Sequence, residues 1–287
     1  MDVFIPNQEP DHHGLAALKL NELNERQHEA VTAPPQNMLV LAGAGSGKTK
    51  VLISRIGYLI RAHHVSPYSI MAVTFTNKAA TEMRHRLETV MGHGTVGSQF
   101  SNHGMWIGTF HGLAHRFLRT HFREAKLPES FQVIDSDDQH RLIRRLLKSL
   151  NLDEKRYPAK QIMWYINGKK DEGLRPKHIE TYDPNEQVMV KVYEAYQQAC
   201  DRAGLVDFAE ILLRSHEVLA THPDVLSHYR KRFRHVLVDE FQDTNSIQYA
   251  WIQLISGGHP GGVADELDPS YVMIVGDDDQ SIYGWRG

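Results

Sequence analysis

The eight residues AGAGSGKT at 42–49 constrain this chain more than any other stretch of it. An apolar run, NMLVLAG (37–43), leads into them and a helix-like KVLISRIGYLI follows, so a buried strand turns through a glycine-rich loop into a helix. Gly43, Gly45 and Gly47 let the backbone from Ala42 through Ala44 and Ser46 turn its N–H groups inward at a helix N-terminus, which is a cradle for phosphate. In that setting Lys48 reaches the β and γ phosphates of a nucleotide and the Thr49 hydroxyl suits magnesium. Ala42 stands where the general GxxxxGK[ST] pattern has its first glycine. A ligand-free glycine turn is the plainer alternative, and the Lys-Thr pair in this context argues against it.

Four more apolar runs resemble that first strand: SIMAVTFT (69–76), MWIGTFH (105–111), HVLVDEF (235–241) and YVMIVGD (271–277). Continuous apolar blocks of this length suit parallel strands buried on both faces. Strands alternating with helices predict an α/β fold with a parallel sheet, whose ligands gather at the strand carboxyl ends. Residues 112–233 hold no comparable strand. DSDDQHRLIRRLLKSL opens on Asp and Ser caps and then places Leu142, Ile143, Leu146, Leu147 and Leu150 on one helical face. KVYEAYQQACDRAG and DFAEILLRSHEVLA continue the pattern, which predicts a helical subdomain over 112–233 inserted into a sheet domain of 21–111 and 234–287. Residues 1–20 read as a flexible extension, and 92–104 and 256–270 as surface loops rich in Gly, Ser, Pro and acids.

LVDEFQD (237–243) supplies the acids that a nucleotide site needs. Asp239, at a strand end, can hold magnesium, and Glu240 can polarise a water for attack on the γ phosphate. TFTNKAA (74–80) and GTFHGLAHR (108–116) put Thr, Phe, Asn and His where strand becomes loop; hydroxyls and amides there suit phosphodiester oxygens, and Phe75 offers a ring for base stacking. Taken separately, Phe75 and Phe110 are more often core than platform. GDDDQSIYGWRG (276–287) places Gln280 where it could sense the γ phosphate, with Tyr283, Trp285 and Arg286 close behind. Trp285 reads either as a stacking residue or as a plug for apolar surface.

Composition excludes several classes. Hydrophobic residues are 41% and charged residues 23% of the 287, which is ordinary for a globular protein. No apolar run is long enough for a membrane span, and MDVFIPNQEPDHHG lacks the basic start of a secretory signal, so a cytoplasmic location is expected. A single cysteine, Cys200, rules out an internal disulfide framework. The net charge of −3 excludes a uniformly basic coat. It leaves room for local basic faces at RLIRRLLK (141–148) and HYRKRFRH (228–235), which read equally as solvated helix flanks. Among 18 histidines, only His111 and His115 have helical ligand spacing, with no companion carboxylate of the HExxH kind.

Together LNERQHEAV, AGAGSGKT, VTFTNKAA, GTFHG, VDEFQD and VGDDDQSIYGWRG resemble the UvrD/Rep/PcrA group of superfamily 1 DNA helicases, from about residue 21 onward. The resemblance implies a RecA-like P-loop NTPase sheet, the first of two motor domains, carrying an inserted helical DNA-binding subdomain. It implies ATP and Mg2+ as cofactors and 3′-to-5′ movement on single-stranded DNA. By the same resemblance Gln27 reads the adenine edge, Lys48 and Thr49 hold phosphates and metal, and Asp239 holds the metal. Glu240 is then the catalytic base and Gln280 the γ-phosphate sensor. Phe75, Asn77, His111, Phe208, Tyr283 and Trp285 line a single-strand track, and Arg286 couples the two sites. Lys50 replaces the family's usual adenine-packing Arg, and an ammonium lacks the planar guanidinium face.

The resemblance further implies partners: single-stranded DNA, single-to-double-strand junctions, repair proteins, and a second motor domain in cis that lends arginines to the γ phosphate. A chain without that domain is expected to bind ATP and DNA weakly, to hydrolyse ATP poorly and not to unwind. A subunit of a helicase-nuclease complex and a nucleotide-gated DNA-binding module remain as alternatives. A small-molecule kinase leaves the aromatic strand-end motifs unexplained.

Overall fold

The computed structural model describes residues 16, 18–43, 45–91, 104–257 and 270–277. Contacts divide the chain into a unit of 1–109, 229–243 and 261–287 and a second unit of 110–228 and 244–260. The sequence placed the corresponding boundaries at 111/112 and 233/234.

The first unit is built on five strands, β1 (Met38–Leu41), β2 (Ile70–Thr74), β3 (Trp106–Thr109), β4 (His235–Val238) and β5 (Tyr271–Gly276). They form one sheet in the order β1-β5-β4-β2-β3, with every pair parallel. Each strand lies within a run that the apolar pattern had marked. The interior strands β2 and β4 are buried at every position, as continuous apolar blocks demand. Edge strand β1 alternates instead, with Leu39 and Leu41 exposed. All five strands stop before the ends of their marked runs, because those ends belong to loops or helices. Phe110 and His111 are the first two residues of a helix, not the end of β3.

Helices α1 (Glu25–Thr32), α2 (Lys48–Ala62) and α3 (Asn77–Met91) belong to this unit. Asn24 and Gln27 form a capping box at the start of α1. Buried Arg55 of α2 donates to the carbonyls of Val31, Ala33 and Pro34 and so satisfies the last turn of α1. The core gathers Val51, Leu52, Ile56, Ile70, Ala72, Leu237 and Val275.

The second unit is helical: α4 (Phe110–Thr120), α5 (Ser136–Ser149), α6 (Ala159–Asp171), α7 (Pro184–Ala203) and α8 (Phe208–Thr221), then α10 (Ser246–Ser256). Helix α9 (Pro223–Arg232) runs across the division. Asp135, Asp183, Asp207 and Asn245 each cap the helix that follows them. Ile143 and Leu147 of α5 enter a core with Ile162, Ile166, Val192, Tyr193 and Tyr196. Leu150 does not: it is the C-cap of α5 and is exposed. The only strand pairing in this unit, among the described residues, is a two-residue parallel bridge of Gln132–Val133 with Leu205–Val206. Helices α4 and α10 both pack on α8.

No described helix is long and apolar enough to cross a membrane. The basic run 228–235 is solvated only in part, with His228 and Lys231 exposed. Tyr229, Phe233 and His235 are buried, and Arg232 lies 3.8 Å above the Tyr68 ring while donating to the Gly104 carbonyl. In the other basic run, Arg141 and Arg144 are exposed and paired with Asp138 and Glu154.

Candidate nucleotide site and strand-end aromatics

The turn between β1 and α2 needs glycine at two positions. Gly45 and Gly47 have φ of 75° and 84°, in the left-handed region that costs a side-chain-bearing residue about 1–2 kcal/mol. A Cβ on Gly47 would also stand 3.3 Å from Gln27 Nε2. That amide nitrogen donates to the Ser46 carbonyl at 2.8 Å, while Gln27 Oε1 accepts the Asn24 N–H. Gln27 is thus placed directly against the loop. Lys50 points the other way: its ammonium donates to the Glu22 carbonyl and pairs with the Glu22 carboxylate at 3.7 Å.

Lys48 opens α2 and is buried. Its Nζ lies 3.4 Å from Glu240 Oε2 and 3.4 Å from Asp277 Oδ2. The strand order explains this meeting, because β5 lies between β1 and β4 and its carboxyl end falls between the loop lysine and the acid pair. Asp239, 3% exposed, receives the Glu240 N–H on Oδ1 and a hydrogen bond from Thr49. Burial, and next the charge of Glu240, push the Asp239 carboxyl up to about 6.

Three carboxylates therefore face one ammonium, a surplus of negative charge that suits a divalent cation. Among the described residues no three His, Cys, Asp or Glu side chains form a closed metal cage. Magnesium keeps waters and takes one or two protein oxygens plus phosphate, and the Thr49 hydroxyl beside the Asp239 carboxylate fits that donor set.

The strand-end aromatics divide between the units. Phe75 is half-buried at the end of β2. Asn77 is exposed at the start of α3, where the Thr76 hydroxyl caps the helix by accepting the Ala79 N–H. In the second unit His111 and Phe208 stack, with centroids 3.7 Å apart and planes 15° from parallel. Phe208 is 60% exposed, and burial holds the His111 imidazole down to about 4, so it is neutral at ordinary pH. Phe110 is core, 2% exposed and edge-on to Trp251. His115 meets Phe131 edge-on and accepts from Arg119 Nε, so the histidine pair singled out by its spacing engages rings and a cation. Ala44, Gln280, Tyr283, Trp285 and Arg286 lie outside the described residues, as do most of the loops 92–104 and 256–270.

Two residues of this site went unnoticed in the sequence, Asp277 and Gln242. Both stand inside motifs already singled out, but only the strand order brings them to Lys48 and Glu240.

Residues 23–287 match the family described as the UvrD/REP helicase N-terminal domain. The chain is 62% identical to DNA helicase II of Salmonella typhimurium (strain LT2) and to DNA helicase II of Escherichia coli (strain K12). Each match spans 269 residues, 93% of this chain and 35% of the relative. It is 37% identical to the ATP-dependent DNA helicase PcrA of Leuconostoc citreum over 269 residues, 93% of this chain and 34% of that protein. The chain thus spans about a third of the length of the curated relatives it matches. A phosphate loop after β1, an acid pair after β4 and a family match over nearly all the chain agree, and the chain belongs to the UvrD/REP helicase N-terminal domain family.

Proposed function

We propose that this chain is the ATP- and single-strand-binding part of an ATP-dependent DNA helicase that moves 3′ to 5′. The observation that carries the reading is the convergence of Lys48, Thr49, Asp239 and Glu240 at the carboxyl ends of β1 and β4.

The loop N–H groups and Lys48 bind the β and γ phosphates, and Gln27, lying against the loop, faces the base. Thr49 and Asp239 would hold magnesium, which would supply neutralisation of charge on the phosphate oxygens. Glu240 accepts a proton from the attacking water as that water adds to the γ phosphorus and the bond to the β–γ bridging oxygen breaks, leaving ADP and phosphate. Gln280 senses the γ phosphate. Phe75, Asn77, His111, Phe208, Tyr283 and Trp285 contact the strand, and Arg286 links strand and nucleotide. DNA junctions and repair proteins are the partners of the whole protein.

Arginines from a second motor domain complete the γ-phosphate site in this reading. Residues of that kind contribute on the order of 10³–10⁵ in rate in related phosphoryl-transfer sites. The 287-residue chain alone therefore turns ATP over slowly. The test is steady-state ATP hydrolysis by this chain, with and without oligo-dT, beside Lys48→Ala. Detectable ATP binding with slow, Lys48-dependent turnover supports the reading. Turnover indifferent to Lys48→Ala overturns it.

A further inference from the structure

The loop after β4 holds a conformation that needs an external support. Glu240 has φ of 49°, a left-handed backbone that is strained in a non-glycine residue. The following turn, Phe241–Asp243, closes through the Asp243 N–H donating to the Glu240 carbonyl at 3.0 Å. That bond shapes the turn. It leaves the direction of the Glu240 side chain to be set by something else.

Gln242 supplies the constraint. Its Nε2 donates to Glu240 Oε2, and its Oε1 accepts the backbone N–H of Asp277 at 3.1 Å. A carboxylate partner requires the amide nitrogen and an N–H partner requires the amide oxygen, so the two contacts agree on one orientation of the amide. Strand β5 makes room for it: a Cβ on Gly276 would stand 3.3 Å from Gln242 Oε1. Lys48 reaches the same oxygen of Glu240 that Gln242 does, Oε2. Among the described residues both donors use Oε2.

The geometry points to Gln242 as a positioning residue for Glu240. It holds one carboxylate oxygen so that the other faces the attacking water, and it ties that carboxylate to the backbone at the end of β5. Asp277, the residue that follows β5, is thereby linked to the base through a single amide. This inference rests on the reading of Glu240 as the base in ATP hydrolysis.

A second role, a plain staple between loop and strand, is separable by chemistry. Gln242→Glu keeps an acceptor for the Asp277 N–H but turns a donor toward Glu240 into a like charge. Gln242→Met loses both contacts at similar volume. The experiment is single-turnover hydrolysis of ATP by the 287-residue chain, with protein in excess, Mg2+ and oligo-dT present, followed for hours to days. ATP affinity is measured beside it with a fluorescent analogue, and folding by thermal unfolding.

Positioning predicts that both variants lose roughly 10- to 100-fold in single-turnover rate, the scale of a misplaced catalytic group. Affinity stays within about threefold, and Gln242→Glu is at least as slow as Gln242→Met. A Gln242→Glu rate equal to wild type beside a slow Gln242→Met shows a staple only and overturns the inference. So do wild-type rates in both variants, or rate and affinity falling together. The control is Glu240→Gln. If the unsubstituted chain shows no turnover that depends on Glu240, the hydrolysis reading fails, and this inference fails with it.

Discussion

The ammonium of Lys48 stands 3.4 Å from Oδ2 of Asp277, a carboxylate only 5% exposed at the end of the strand between the phosphate loop and the acid pair. Lys48 is therefore a structural countercharge as well as the phosphate ligand we propose. The contact with Glu240 is equally long, but Glu240 is 38% exposed and water screens it.

Lys48→Ala accordingly does two things. It weakens binding of an ATP analogue by at least about tenfold, because a point charge on the β and γ phosphates is lost. It also takes an ammonium away from the buried Asp277 carboxylate and lowers stability by roughly 1–3 kcal/mol, which is a fall of roughly 2–5 °C in Tm for a chain of this size. Adding Asp277→Asn restores most of the Tm and none of the binding. A double variant as unstable as the single one would show that the two groups are not coupled.

The stacked pair His111 and Phe208 predicts a contact whose strength is not ionic. Phe208→Ala should weaken oligo-dT binding by about 1–3 kcal/mol, the range for loss of one base-stacking ring. The dependence of affinity on salt should keep its slope, since no phosphate contact is removed. With His111 held down to about 4 by burial, the pair carries no charge near neutrality. Phe208→Ala should therefore cost the same at pH 6 and pH 8. Fluorescence anisotropy across salt and pH checks each point, and a changed salt slope would count against stacking.

The imidazole of His235, the first residue of β4, is buried, with the residue 7% exposed. Burial first, and then the charge of Arg55, lowers its imidazole to about 4, from an ordinary value of 6.5. The unfolded chain thus takes up a proton that the folded chain refuses between those two values. Stability is unaffected above 6.5 and falls as pH drops from 6.5 toward 4. At pH 5 the loss attributable to this residue is about 2 kcal/mol. His235→Gln should flatten the fall in stability between pH 7 and pH 5 by that amount. Equal slopes in urea unfolding of the two proteins would mean that His235 is protonated in the folded state.

Much of the first unit was legible because parallel strands buried on both faces leave continuous apolar blocks. All five were marked, and so was the phosphate loop that one of them feeds. The ends of those blocks were harder to place. GTFH suits the end of a strand as well as the start of a helix, and Phe110 lies in the core against Trp251, a residue far along the chain. The roles of Asp277 and Gln242 depend on β5 lying between β1 and β4, and local sequence does not record strand order. The same limit explains the basic run at 228–235, where Arg232 found its partners at Tyr68 and Gly104. His111 and His115 had the spacing of ligands, yet their neighbours Phe208 and Phe131 come from elsewhere in the fold.

A buried ionic network in the second unit gives the sharpest stability contrast. Lys170 is fully buried and donates to Asp207 at 2.5 Å, and it pairs with Glu210 at 2.9 Å; both acids are within 2% of complete burial. Arg175 makes a fork to both oxygens of Glu210 and continues to Glu217, which is 38% exposed. The attraction of Asp207 and Glu210 outweighs desolvation and holds the Lys170 ammonium above its ordinary range, while the surrounding cations hold Glu210 well below its own. Lys170→Met leaves two buried carboxylates short of a cation and should cost roughly 3–5 kcal/mol. Glu217→Gln removes a charge at the wet end of the same network and should cost under about 1 kcal/mol. Urea unfolding with an unchanged m-value reads both. Asp207 also caps α8, whose first residue is Phe208, so the costly variant disturbs the mount of that exposed ring and the cheap one does not. Comparable losses from the two substitutions would mean that burial does not rank these charges.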